Sequence, residues 1–536
     1  MADSPPAWVK NLCATLNEEK KYAIWTNGNG ISHKLPEDEA ALQAISKMTI
    51  RFSDKASRLP AELGQLKNLR TLVILCNNAP IEIPVEMAQL QNLQEFSLSV
   101  SELSVLPPVI GKLNNLRHLT IRCDRFSADL SELLQLPQLQ YLDLGHSKFT
   151  ANWPGIPPLA KLQTLGLTSC KLTTLPAGVC ELAALQHLDI TFNKLTTLPA
   201  EIGKLTKLQT IFAGINRLEF LPATMAQLSQ LKMLNLSGNC FSEWPEVICT
   251  LPALESLSIG NEYLAALPAS IGKMSRLKSL GLYGMPLKTL PAAIGKLSCL
   301  EELSISRCLL QSLPEEIGEL KNLTCCNIRS SHLESLPVSF AELSRLEMLT
   351  LGDNRFTTLP PAICGLQQLQ CLLIEESLTT LSAEMGKLTN LQKLCLTESE
   401  ITSLPAEIGE LTNLQELILY NNKIATLPRE IGKLASLKRL DLQKNRLATL
   451  PAAIAQLSGL RYLDLRDNQL ETLADDAITM TEGYIELSDN PLRQLPQTLK
   501  ARHHAAAGKL KIHADRTTLP NFTDDFDFDE VLLDYA

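Results

Sequence analysis

The sequence predicts an α/β solenoid of about 20 stacked units, with a curved parallel β-sheet on the concave face and short helices or turns on the convex face. Three observations carry this expectation. The chain matches itself every 23 residues, most clearly in LQHLDITFNKLTTLPAEIGKL (185–205) and LKRLDLQKNRLATLPAAIAQL (437–457). Within each unit the apolar residues first alternate and then regroup at helical spacing. Finally, the 536 residues are 45% hydrophobic but only 5% aromatic, so aliphatic side chains must build a regular interior.

Taking the first leucine of a unit as offset 0, the register starts at Ile45, Leu69, Leu93 and Leu116 and steps by 23 from Leu139 to Leu369. It resumes at Leu391, Leu414, Leu437 and Leu460, with a last unit around Glu482. Offsets 0, 3 and 5 are apolar, so a short strand buries one face and turns offsets 2, 4 and 6 to solvent. Asparagine at offset 8 (Asn193, Asn216, Asn239, Asn354, Asn422, Asn445, Asn468, Asn490) can bond the backbone of a turn that has no strand partner. Leucine and proline at offsets 13 and 14 close that turn, and segments such as AEIGKL return as a short helix with Ile and Leu inward. One unit cannot bury its apolar side alone, whereas stacked units share a continuous core.

The resulting pattern, LxxLxLxxNxLxxLPxxIGxLxx, resembles the leucine-rich repeat in its 23-residue form, as carried by intracellular Ras-group-related proteins and by bacterial cytoplasmic or effector proteins. The resemblance spans residues 45 to about 496. It implies a curved solenoid used mainly to hold another macromolecule, and it leaves that macromolecule open.

Around the solenoid (45–496) the sequence places an N-terminal helical cap (1–44) and a C-terminal cap with an acidic tail (497–536). Ser4-Pro5-Pro6 starts a helix with Trp8, Val9, Leu12 and Leu16 on one face, Asn27-Gly28-Asn29-Gly30 is a turn, and a second short helix begins near Glu37. Lys500, Arg502, Lys509 and Lys511 with His503, His504 and His513 form a basic segment. Residues 515–536 follow with seven acids against one arginine, so six of the nine net negative charges lie there. That tail either docks by its aromatics or covers the last repeat with Val531, Leu532 and Leu533.

Within the solenoid, the first two units run to 24 residues and those at Leu369 and Leu460 to 22, which predicts disturbed stacking there. Offset 8 is Glu262, Met285, Cys308 and Ser331 in four consecutive units, which predicts a looser turn column.

Three stretches of the concave face stand out. Phe192, Phe212, Ile215 and Met233 form a cluster of large apolar groups suited to anchoring a protein partner. Ser237, Gly238, Ser256, Ser258, Gly260, Ser279, Gly281, Gly284, Ser304 and Ser306 make a small, uncharged floor that offers room or relieves crowding. Further on, nine acids and four bases fall on solvent-facing offsets. Among these Lys393, Glu416 and Arg439 alternate in one column, while Asp441, Asp464 and Glu486 put like charges side by side unless Arg439, Arg466 or a basic ligand offsets them. Partner binding is therefore expected at Phe192, Phe212, Ile215, Met233, Arg439, Asp441, Asp464, Arg466 and Glu486.

Other classes lose ground on composition. A net charge of −9 argues against nucleic acid held by a broad basic face. No apolar run is long enough to span a membrane, and charges interrupt the first 25 residues where a signal peptide would be apolar. Fourteen cysteines, with no CxxC pair, predict free thiols in a cytoplasmic, reducing compartment. His118, Asp143, His187 and Asp189 face the concave side, but the histidines lie three units apart in one column and no nucleophile accompanies them. No phosphate loop or GxSxG elbow occurs. The expectation is thus a non-enzymatic protein-binding scaffold without cofactor or metal. Its rivals are an effector delivered into a host cell and a receptor for a peptide or carbohydrate.

Overall fold

A computed structural model describes residues 5–16, 21–26, 31–32, 35–52, 57–76, 81–149, 155–176, 178–506 and 508–514. The turn expected at Asn27–Gly30 and the tail after residue 514 lie outside these described residues. The chain divides into two compact units, Met1–Tyr263 and Leu264–Ala536.

In the first unit, parallel strands run in order from Lys47–Phe52 through Thr71–Cys76, Glu95–Leu103 and His118–Phe126 to Tyr141–Asp143. They continue through Thr164–Gly166, His187–Asp189, Thr210–Phe212 and Met233–Ser237 to Ser256–Gly260. Each strand pairs with the same offset of the next repeat, as Leu188 does with Ile211. In the second unit the same parallel ladder runs from Ser279–Tyr283 to Gly483–Glu486. The apolar residues at offsets 0, 3 and 5 are buried, as Leu208, Ile211 and Ala213 illustrate.

Opposite the strands, most repeats return through a short 3₁₀ helix rather than an α-helix. Ala200–Lys204 is representative: Pro199 precedes it in extended conformation, and Ile202 points into the core. Five residues suit the tighter 3₁₀ turn, which is used in short pieces. Gly203 permits the next turn to approach, because a Cβ there would lie 2.5 Å from the Thr224 carbonyl oxygen.

The asparagine column is a hydrogen-bonded ladder. Asn216 donates to the Ile190 and Ala213 carbonyls at 2.9 and 3.1 Å and accepts the Leu195 N–H at 3.0 Å, tying one repeat to the one before it. Asn445 repeats this in the second unit with Leu419, Leu442 and Ile424. The residue just before the asparagine adopts positive φ in most repeats, from His146 to Asp489.

Where the asparagine is missing, substitutes close the turn. Asn261, one position early, is buried and donates to the Phe241 carbonyl at 2.9 Å, leaving Glu262 exposed. Met285 fills its position by burial, the Cys308 thiol faces the Leu282 carbonyl, and Ser331 bonds the Arg329 carbonyl. In the 22-residue repeat at Leu369, Glu376 turns inward and accepts the Asn354 N–H. Ser399 of the next repeat donates to the Glu376 carbonyl.

The ends differ from a purely helical cap. The helix Ala7–Leu16 buries Val9, Leu12, Cys13 and Leu16, and Asp38 caps Glu39–Gln43 by accepting the Ala41 N–H at 2.7 Å. Between these helices, Lys21–Thr26 pairs antiparallel with Lys47–Phe52, and Ile31–Ser32 pairs with Lys21–Thr26. The first parallel strand is thereby covered by an antiparallel one. At the other end, the helix Gln497–Ala505 leads into Leu510–His513, which adds a parallel strand to Gly483–Glu486.

Candidate binding face

The residues at offsets 2, 4 and 6 form the solvent face of each strand ladder. In the first unit Phe192, Phe212, Ile215 and Met233 are 54, 36, 48 and 43% exposed on this face and its rim. Phe212 lies between Asp189 and Asn235 on the neighbouring strands, and Met233 lies beside Thr210. Phe192 and Ile215 occupy the left-handed turn position, with φ of 58° and 52°. Ile215 is the one β-branched residue with positive φ among the described residues, in a conformation that costs an L-residue about 1–2 kcal/mol.

Phe212 and Met233 also border a hollow of about 400 Å³ over the strands from Tyr141–Asp143 to Thr210–Phe212. Gly166 forms its floor between two carboxylates, since it pairs with Asp143 on one side and Asp189 on the other. A Cβ on Gly166 would lie 2.6 Å from Asp143 Oδ1. Each aspartate also closes its own turn: Asp143 accepts the Gly145 N–H at 2.8 Å and Asp189 the Thr191 N–H at 2.9 Å. Arg122 approaches Asp143 Oδ2 only to 4.0 Å and is half exposed. His187 Nδ1 stands 3.2 Å from Thr210 Oγ1, and the His118 ring rests against Tyr141 at 5.6 Å. No group of three His, Cys, Asp or Glu side chains among the described residues is placed to hold a metal.

The charged stretch of the second unit is built differently from the open acidic surface expected of it. Asp441, Asp464 and Glu486 are buried. Arg466 reaches Asp464 with Nη2 at 2.7 Å and Nε at 3.1 Å, and the Tyr462 hydroxyl donates to the same carboxylate at 3.2 Å. Arg439 donates to Asp441 at 3.1 Å while its guanidinium lies 4.5 Å over the Tyr462 ring. Glu486 accepts the Tyr484 hydroxyl at 2.7 Å, and the Tyr462 and Tyr484 rings stack at 5.7 Å. Burial, then the neighbouring Asp464 charge, pushes the Asp441 carboxyl up, although Arg439 opposes this. The side chains at offsets 2 and 6 thus fold over the acid at offset 4, which the alternation rule places in solvent. Lys393 and Glu416 do form the expected ion pair, at 2.9 Å.

The small-residue floor also changes meaning at Gly281. A Cβ there would lie 2.5 Å from the Tyr283 ring, so the glycine makes room for the chain's own tyrosine. No disulfide joins the cysteines among the described residues. Burial pushes Cys170 and Cys326 up to about 12, which holds them as unreactive thiols near neutrality.

Family models agree with this architecture. One described as a leucine-rich repeat region matches residues 222–331 and 326–422, and one described as a leucine-rich repeat matches 160–218, 412–470 and 435–480. A leucine-rich repeat protein of Leptospira interrogans is 32% identical over 77% of this chain and 93% of its own, with a TM-score of 0.57. The chain is a leucine-rich repeat protein. Two further solved structures share the fold with this leucine-rich repeat protein. One is the plant peptide hormone receptor RGFR1 in complex with RGF2, 24% identical over 92% of this chain and 82% of that one, with a TM-score of 0.52. The other is the glycosylated Toll–Spatzle complex of Drosophila, 19% identical over 94% and 74%, with a TM-score of 0.64. No curated protein sequence matches the chain. The fold is one used for binding proteins or other ligands.

Proposed function

We propose that this leucine-rich repeat protein is a non-enzymatic scaffold that holds a protein partner on the solvent face of the strands in its Met1–Tyr263 unit. The observation that carries the reading is the group of four exposed apolar side chains at Phe192, Phe212, Ile215 and Met233. Large apolar groups on a rigid face are the usual anchors of a protein interface. Ile215 fits the reading, because it presents about half of a β-branched side chain to solvent from a left-handed turn position that such a residue adopts only at a cost. The raised pKa of the buried thiols and the ordinary hydrogen bonds of His187 favour binding over chemistry.

We place the protein in the cytoplasm, a reading supported by fourteen cysteines of which none is joined in a disulfide among the described residues. Export directed by the first 50 residues in a secretion assay would replace this with the host-directed effector reading. The test of the scaffold itself is an affinity capture with wild type beside Phe212→Asp. The expected result is a protein retained by wild type and lost with the variant, at an unchanged melting temperature. Equal retention by both, or a melting temperature lowered by many degrees, overturns the assignment of Phe212 as an anchor.

A further inference from the structure

The chain carries two versions of one arrangement. In the repeat beginning at Leu460, Tyr462, Asp464 and Arg466 occupy offsets 2, 4 and 6, and Arg466 closes on the Asp464 carboxylate with Nε and Nη2. The repeat beginning at Leu139 has Tyr141 and Asp143 at offsets 2 and 4, but Gly145 at offset 6. The aspartates make the same turn, accepting the N–H of Gly145 and of Arg466 respectively. No side chain at offset 6 of its own repeat therefore closes on Asp143, which lines the hollow bordered by Phe212 and Met233. Asp189 stands across Gly166, and no arginine or lysine among the described residues pairs with it. Arg122, from the repeat before, also lines the hollow, half exposed and no nearer than 4.0 Å to Asp143.

We propose that this hollow receives an arginine side chain of the partner, with its guanidinium between Asp143 and Asp189 and an adjacent apolar residue on Phe212 and Met233. The inference rests on the scaffold reading and names the chemistry of the segment that docks. A guanidinium suits the site because its planar set of donors can meet two carboxylates at once, which a lysine ammonium does less well. The glycines at 145 and 166 provide the floor, since a Cβ at either position would lie within 2.9 Å of Asp143 Oδ1.

The test uses the full chain and a random dodecapeptide phage library, selected on wild type and counter-selected on Phe212→Asp. Selected peptides are then measured against wild type, against Asp143→Asn/Asp189→Asn, and against Gly145→Arg. Asparagine keeps the oxygen that accepts the turn N–H, so the double variant should melt like wild type. The expected peptides carry arginine next to a large apolar residue. Replacing that arginine by citrulline should weaken binding to wild type at least about tenfold and leave the weak binding to the double variant unchanged. Gly145→Arg should lose binding by supplying its own guanidinium, as Arg466 does. Peptides that need Phe212 but tolerate citrulline and the double variant overturn the arginine slot and leave the scaffold reading standing. The absence of any Phe212-dependent peptide overturns both.

Discussion

Arg466 grips the fully buried carboxylate of Asp464 with two nitrogens, Nη2 at 2.7 Å and Nε at 3.1 Å, while Tyr462 completes the shell from the same strand. An acid on the nominally exposed side of a strand is thus part of the structure. Asp464→Ala should destabilise the protein by about 2 kcal/mol, because the Arg466 and Tyr462 donors lose a buried acceptor while Arg466 retains partial access to water. Urea denaturation checks this. Reversing Asp464 and Glu486 to lysine should unfold this part of the second unit, so that double variant reports on folding and says nothing of a basic partner.

The asparagine ladder yields a second expectation. Asn216→Ala removes one accepted and two principal donated bonds from a buried turn; the Ile190 and Ala213 carbonyls keep the bonds from Asn193 and Asn239, but the Leu195 N–H loses its acceptor. A loss of about 2–3 kcal/mol is expected, visible as a lower urea midpoint.

Glu376 supplies a pH dependence. Burial is the main cause that pushes its carboxyl up from 4.5 to about 7, with the nearby Asp353 charge adding to the shift and the Asn354 N–H opposing it. The folded state therefore binds a proton that the unfolded state has released between pH 4.5 and about 7. This contribution to stability is fully present below about pH 4.5 and is lost as pH rises through about 7. Glu376→Gln should flatten that slope and be more stable than wild type at pH 7.5. Denaturation midpoints at pH 5 and 7.5 for both proteins decide it; parallel slopes would contradict the assignment.

Ile215 separates stability from binding. Ile215→Asn relieves a β-branched residue at φ 52° and should raise stability by about 1 kcal/mol while weakening the partner. Calorimetry and a binding titration on the same preparation measure the two effects. A variant that is less stable would mean the isoleucine is packed rather than presented.

Much of the molecule was legible because its signals are periodic. Asn216 and Asn445 stand at one offset, and the structure gives them one set of bonds. What escaped depends on side chains acting across positions. Alternation assigns Asp464 to solvent and contains no information that Tyr462 and Arg466 will close over it. Gly281 reads as open floor until Tyr283 is seen lying on it. Glu376 does the asparagine's work one position early because its repeat is one residue short. The strand Lys21–Thr26 falls outside the repeat, so periodicity was silent about its pairing with Lys47–Phe52. A second asparagine column stands just before offset 0 and is equally periodic: Asn68, Asn92 and Asn413 donate to the Gln43, Lys67 and Thr389 carbonyls at 2.9 Å.

The central claim is that a protein partner sits on the strand face of the first unit. Amide hydrogen exchange of the full chain with and without its captured partner tests it most directly. The account predicts slowed exchange at Thr210–Phe212, at Met233–Ser237 and in the turns at Phe192 and Ile215. Protection confined to the 3₁₀ turns on the opposite side, or to the Leu264–Ala536 unit, would contradict it.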